Sequence, residues 1–384
     1  MENSKRKQVI SSMHLLVTQR CNLRCIYCYG QNQQLPHEDM SFQTARKSID
    51  WLFENCGDSK AVRIEFFGGE PLLNFTLIRQ AVNYAEEQAE KLQKSVHFTM
   101  TTNATLMTQK VVRFLNQHQI KTMISLDGPA HIQDRQRPMK NSGKSHEVVL
   151  SNLQALFSAA PGIVAGCRAT LSGSVSDRDA WKIKQYLWGL GFNAVFVSPA
   201  TPLFSQGICS DQRKAQIASA TYMIEQEANR FLSLVRDRDK SRLNQYKAGL
   251  LLLTLKRILN TDTRRYRCSS GRSSIAVSHD GRIYICHRFV GMENFCIGSV
   301  FNFSPQKFGF FERYKKLPDK CMGCQANILC SGGCLHENMA VNGIPMEPAE
   351  DLCRITLKIV SCARQISSWL SKDDTSFLKT QLLL

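Results

Sequence analysis

Short apolar runs at 13–18, 62–67, 96–101, 122–126, 163–170 and 194–197 alternate with amphipathic stretches. That rhythm predicts six strands joined by helices. Ser41 is placed to cap the first helix, on which Ile49, Leu52, Phe53 and Cys56 recur at i, i+3, i+4 and i+7. Asn74, Thr108 and Asp177 are read as the starts of further helices. Repeated βα units build a parallel sheet with crossover helices, so the fold class is α/β, as an open sheet or a partial barrel. From about 211 to 259 the pattern becomes long helices with a polar interruption near 236–242. After that the chain turns rich in cysteine, glycine and short strand-like pieces. The expected organisation is a tail over 1–12, a βα core over 13–200, a helical bridge over 201–265, a cysteine-rich module over 266–365 and a tail over 366–384.

Composition narrows the class. With 43% hydrophobic and 21% charged residues over 384 positions, the chain reads as a globular protein of two or three domains. The start is charged and lacks an export core. The longest apolar run, 248–253, is too short to span a bilayer. A cytoplasmic protein with no membrane partner is expected. The formal charge of +17 suits attraction of an acidic polypeptide. No aromatic-plus-basic pattern marks a nucleic-acid module, so nucleic acid is not an expected partner.

Eight of the fifteen cysteines fall between Cys268 and Cys353. A reducing cytosol opposes a disulfide framework, and clustered intracellular cysteines more often hold metal. The first cluster, Cys21, Cys25 and Cys28, follows the first strand at C-x3-C-x2-C spacing. Three thiolates on one loop hold three irons of a [4Fe–4S] cube and leave the fourth open to bind a ligand. Zinc prefers four closed ligands and fits this spacing poorly.

This loop, with Tyr27 before its last cysteine, resembles the radical S-adenosylmethionine superfamily. The resemblance implies a partial (β/α)6 barrel, S-adenosyl-L-methionine as cofactor, and an oxidoreductase that begins by cleaving it. It also implies cofactor-binding roles for Tyr27, for Gly68, Gly69 and Glu70 at the second strand's end, and for Asn103 at the third. Ser125 and Asp127 follow at the fourth strand's end, with Arg168 on the fifth. Paired glycines allow close backbone approach, and the strand ends are where barrels place chemistry. Arg168 has the alternative of an ordinary ion pair.

The C-terminal pattern runs Cys268, Cys286, then Cys321-x2-Cys324-x5-Cys330-x3-Cys334, then Cys353. It resembles the SPASM domain, an auxiliary-cluster module of radical enzymes acting on peptides. The resemblance implies three [4Fe–4S] clusters in all. One auxiliary cluster would be closed by Cys321, Cys324, Cys330 and Cys353. The other would be held by Cys268, Cys286 and Cys334, one cysteine short. Cys296 is the nearest spare thiol, with the bland alternative of a packed free cysteine. Cys56, Cys167, Cys209 and Cys362 remain unassigned, and Cys56 and Cys167 are read as packing residues.

Two branches then compete. Maturases of ribosomally made peptides install thioether or carbon–carbon cross-links. Anaerobic sulfatase-maturing enzymes make formylglycine, with an aspartate as base where this chain carries His287. His287 is therefore the candidate catalytic base, or a residue hydrogen-bonded in the cluster's shell, as is His336. A non-catalytic iron–sulfur electron carrier is the alternative of another class. About twelve residues precede the first strand, leaving no expected room for a leader-recognition domain. The implied partners are a precursor peptide or protein, an electron donor such as flavodoxin or ferredoxin, and a separate leader-recognition protein.

Overall fold

The computed structural model describes residues 9–30, 38–202, 210–246, 249–260, 268–303, 317–327, 330 and 332–382. Cys209 and Ala248 lie outside them. In chain order the elements are β1 Ser12–Thr18, α1 Phe42–Asn55, β2 Ala61–Gly68, α2 Phe75–Lys91, β3 Ser95–Thr102, α3 Gln109–Gln117 and β4 Lys121–Ser125. Next come α4 Ala130–Gln136, α5 His146–Ala159, β5 Val164–Leu171, α6 Asp179–Gly189, β6 Val195–Pro199, α7 Ser210–Arg236, α8 Lys240–Leu243 and α9 Leu250–Leu259. The remainder are β7 Ser274–Val277, β8 Arg282–Tyr284, β9 Cys296–Ser299, α10 Leu335–Asn342, α11 Glu350–Trp369 and α12 Lys372–Leu382. The six expected strands are present. The polar interruption marks the end of α7.

Two compact units emerge. The first comprises Met1–Ser125, Pro138–Ala165 and Cys268–Lys316. The second comprises Leu126–Arg137, Gly166–Arg267 and Leu317–Leu384. The cysteine-rich segment expected as one module over 266–365 is thus shared between them, and 366–384, read as a tail, carries the end of α11 and all of α12.

In the first unit the strands run in the order β4-β3-β2-β1-β7-β8-β9. β1 pairs in parallel with both β2 and β7, setting His14 beside Glu65 on one side and Ala276 on the other. Strand alternation explains the core. Met13, Leu15 and Val17 are wholly buried, as are Ile64 and Phe66 on β2 and Ile49 and Leu52 on α1. Ser12, His14, Leu16 and Thr18 therefore take the opposite face of β1. Ser41 and Thr108 cap α1 and α3, accepting from Thr44 N and Val111 N. Asn74 acts differently: its amide donates to Val17 O and Met40 O, tying the start of α2 to β1.

In the second unit β5 and β6 pair in parallel, and α11 packs on α7 and α9. Buried Leu232, Val235, Leu255, Val360 and Ile366 form their shared interior. The expected start of α6 at Asp177 shifts by two residues. Asp179 instead takes hydrogen bonds from Ser176 N at 2.7 Å and Ser176 Oγ at 2.6 Å, closing the turn from inside the helix. Among the described residues no helix is long and apolar enough to cross a membrane.

Candidate active site

The loop carrying Cys21, Cys25 and Cys28 is fastened from three directions. Leu23 is 1% exposed and Arg24 N donates to Pro138 O at 2.8 Å. Asn22 Nδ2 donates to Thr105 Oγ1 and its Oδ1 accepts from Asn103 Nδ2 at 2.9 Å. Gly69 N and Glu70 N donate to Thr18 O and Arg20 O. Those last bonds explain the paired glycines. A Cβ on Gly68 would lie 2.0 Å from Thr18 O, and one on Gly69 2.3 Å from Arg20 O. Gly68 also sits at φ +136°. The glycines let the end of β2 lie against the chain entering the cysteine loop.

Glu70 is fully buried and accepts from Asn103 N at 2.8 Å, Thr102 Oγ1 at 2.7 Å and Leu72 N at 3.1 Å. Burial pushes its carboxyl up to about 7, against the downward pull of those hydrogen bonds. Its side chain thus staples the ends of β2 and β3. Asn103, expected at the cofactor, uses its amide to hold Asn22 and to accept from Thr105. Asp127, expected there too, is fully buried in the second unit. It takes Arg137 Nε at 3.0 Å and Thr170 N at 2.9 Å. Arg168 lies with its guanidinium 5.7 Å from the Phe196 ring centroid. Tyr27 and Ser125 are half-buried.

The thiols respond to one another. Burial pushes Cys21 up to about 11, and Glu70 and Cys28 add to the effect. In the second unit burial pushes Cys353 up to about 11, followed by the charges of Cys330, Cys321 and Cys324. Cys321, Cys324 and Cys330 lie near enough to Cys353 to oppose its ionisation, and four cysteines gathered in this way are the donor set of an iron–sulfur cluster. Gly333 N donates to Cys330 Sγ and Ala326 N to Cys324 Sγ, the support that ligand sulfurs receive. Among the described residues no three His, Cys, Asp or Glu converge on a single ion.

Cys268 and Cys286 belong to the first unit and Cys334 to the second. Cys268 is exposed, and its thiol reaches Ser270 Oγ at 3.3 Å. Cys296 packs against Leu16, Ala276, Tyr284 and Val290, as a core cysteine does. Cys56 and Cys167 are wholly buried, as packing residues.

His287 Nδ1 stands 3.8 Å from Cys286 Sγ, while its ring lies 4.5 Å from both His14 and Phe67. The ring is thus lodged between β1 and the end of β2. Tyr29 has the Arg288 guanidinium 5.3 Å above its ring. Burial pushes its hydroxyl up and Arg288 pulls it down, while Cys28, Cys286 and Glu65 push it further up. Arg288, on the turn that follows Cys286, thus lies over the residue that follows Cys28. Sequence reading passed over Tyr29, His14 and Glu65. The signal for the last two was a polar residue at alternate positions, Ser12 and His14 in β1 and Arg63 and Glu65 in β2.

Comparison with known proteins agrees with this geometry. Residues 12–150 match the family model described as a 4Fe-4S single cluster domain. An uncharacterized protein of Methanocaldococcus jannaschii is 39% identical over 143 residues, 37% of this chain and 46% of that protein. Radical SAM cyclopropyl synthase TigE of Paramaledivibacter caminithermalis is 24% identical over 160 residues, 37% of this chain and 33% of TigE. The chain thus spans less than half the length of either relative. The structure of native anSMEcpe with bound AdoMet and Cp18Cys peptide superposes with a TM-score of 0.73 at 17% identity. It covers 94% of this chain and 98% of that one. A three-cysteine loop after β1 and a cysteine-rich C-terminal segment are thus carried by a chain that shares its fold over 94% of its length with the AdoMet-bound anSMEcpe structure.

Proposed function

We propose that this protein is a peptide maturase that removes a hydrogen atom from a ribosomally made precursor and installs a thioether or carbon–carbon cross-link. The observation carrying this reading is that the Arg288 guanidinium, two residues after Cys286, lies 5.3 Å over the ring of Tyr29, the residue after Cys28. A radical-generating loop and an auxiliary-cluster cysteine then serve one site. Such a pairing suits a substrate oxidised in two one-electron stages, and a simple electron carrier has no use for it. The peptide bound to anSMEcpe and the cyclopropyl synthase activity named for TigE support a peptide substrate and carbon–carbon chemistry.

When bound at Cys21, Cys25 and Cys28, a [4Fe–4S] cluster with S-adenosylmethionine supplies a 5′-deoxyadenosyl radical. The chain's residues do the placing. Asn22, Asn103 and Glu70 fix the loop that carries the three thiols. The glycine turn at Gly68-Gly69 offers its backbone to the cofactor's amino group, Ser125 serves its methionine or ribose part, and Tyr27 packs beside it. Cys321, Cys324, Cys330 and Cys353 hold one auxiliary cluster closed, suited to passing electrons. Cys268 and Cys286 supply thiols to the other. A flavodoxin or ferredoxin supplies the electron, and a separate protein recognises the leader.

The test is anaerobic reconstitution, followed by incubation with cofactor, dithionite and a pool of synthetic cysteine- and aromatic-containing peptides, one of sulfatase type. 5′-Deoxyadenosine together with peptides lighter by two hydrogens is the expected result. No deoxyadenosine would favour an electron carrier. Formylglycine on the sulfatase-type peptide would move the protein to the other enzymatic branch.

A further inference from the structure

His14 sits midway along β1, on the face opposite the buried Met13, Leu15 and Val17. Its Nε2 lies 3.1 Å from Glu65 Oε2 on the adjoining strand, with side chains 17% and 25% exposed. Glu65 Oε1 accepts from Thr101 Oγ1 at 3.0 Å on the next strand over. Three neighbouring strands thus contribute one residue each to a line, and the imidazole at its end cannot turn without breaking the bond to Glu65. The other ring nitrogen, Nδ1, is buried and has no hydrogen-bond partner among the described residues.

A buried polar atom left unpaired beside a fully engaged carboxylate calls for an explanation, because such atoms are rare in folded proteins. A carboxylate that holds one imidazole nitrogen as N–H leaves the other as a lone pair, the arrangement of a general base. Glu65 itself stays anionic. Burial alone would lift its carboxyl, yet the hydrogen bonds of His14 and Thr101 and the Arg63 charge hold it below its ordinary range. His287 stacks on the His14 ring at 4.5 Å, with Phe67 beside it, and Tyr29 and Arg288 complete the charged and titratable surroundings.

We propose that His14, oriented by Glu65 and Thr101, is the base that accepts the proton released when the peptide is oxidised. This rests on the maturase reading above. Forming a cross-link removes two hydrogens. One leaves the reacting carbon as a hydrogen atom, taken by the deoxyadenosyl radical. The second partner, a thiol or another C–H group, loses its hydrogen as a proton to His14 Nδ1 as the new bond forms. The remaining electron goes to an auxiliary [4Fe–4S] cluster. His14 is the catalytic residue in this scheme, and Glu65 and Thr101 are positioning residues. His287, turned toward Cys286 Sγ, keeps to the cluster's shell.

The experiment compares reconstituted wild type, His14→Gln, His14→Ala and Glu65→Gln on the same peptide pool. It counts deoxyadenosine and modified peptide separately, with iron content and circular dichroism confirming folded, loaded protein. Deoxyadenosine formation is expected to stay within about twofold, while modified peptide per deoxyadenosine falls about a hundredfold in both His14 variants. Glu65→Gln is expected to fall about tenfold, and added imidazoles should not restore it, since the ring that Glu65 orients is still in place. Added imidazoles should restore His14→Ala in proportion to their basicity, which a structural role would not produce. An unchanged peptide-to-deoxyadenosine ratio in folded His14→Gln overturns the proposal, as does rescue indifferent to basicity. No deoxyadenosine from wild type defeats the maturase reading instead. Deoxyadenosine without any modified peptide defeats its substrate class, and the base with it.

Discussion

The two cysteine arrays use the same side chain and are assembled in different ways. The first lies within eight residues, Cys21 to Cys28, on a loop whose shape is fixed by neighbours at the ends of β1, β2 and β3. The second gathers Cys321, Cys324, Cys330 and Cys353 from a span of thirty-three positions. Its last member stands at the start of α11, and Asn338 connects the parts. The Asn338 amide donates to Gly332 O and Pro345 O, and its oxygen accepts from Ala349 N. A local array tolerates distant change and depends on its immediate backbone. A dispersed array depends on every element that brings it together. The first thus has the precision wanted where a cofactor must fragment at one iron, and the second suits closed ligation for electron passage.

The largest effect expected is from replacing Cys21, Cys25 and Cys28 together with alanine. Deoxyadenosine should fall to background while iron bound by the C-terminal cysteines persists. Loss of all iron would show that the arrays are not independent. Next comes Gly69→Ala, which presses a Cβ to 2.3 Å from a backbone oxygen. About 3 kcal/mol of stability should be lost, read as a lowered thermal midpoint together with depletion of the first cluster. Glu70 provides a pH test of the same junction. Its folded carboxyl is raised from 4.5 to about 7, so the native state holds a proton that the unfolded chain releases. Stability is therefore fully present below about pH 4.5 and declines as pH rises toward 7, by roughly 3 kcal/mol over that interval. Glu70→Gln should flatten that decline in melts between pH 5 and 8, and an unchanged slope would remove Glu70 as its source.

Asn338→Ala should cost about 2 kcal/mol through three lost buried hydrogen bonds. It should release iron from the C-terminal array and leave deoxyadenosine formation nearly intact. The smallest effect on cofactor cleavage is expected from Cys353→Ala, within about twofold, although peptide product should fall about tenfold or more as its cluster is lost. Equal loss of both in a folded variant would contradict the division of labour between the arrays.

Much of the core was legible from periodicity. All six parallel strands lie within a residue or two of their expected bounds, because alternation of apolar and polar positions records which face of a strand is buried. Ser41 and Thr108 were readable as caps because a side-chain oxygen before an apolar run has one local use. Asp177 misled for the same reason in reverse: the carboxylate that closes that turn is Asp179, reaching backward to Ser176. Asp127 and Asn103 sit at strand ends as expected of site residues. Their roles as the partner of Arg137 and the holder of Asn22 depend on contacts made across the fold.

By itself, then, the sequence determined the βα rhythm, the three-thiol loop and the presence of a second cysteine array, since each is written in spacings of a few residues. Only the tertiary structure decided that β7 joins the sheet beside β1, bringing Cys286 and His287 to Tyr29 and His14. It also decided that Glu65 and Thr101 would hold His14 from neighbouring strands. Strand pairing is a choice among distant partners, made by burial of whole faces, and no local pattern encodes which polar residues that choice will bring together.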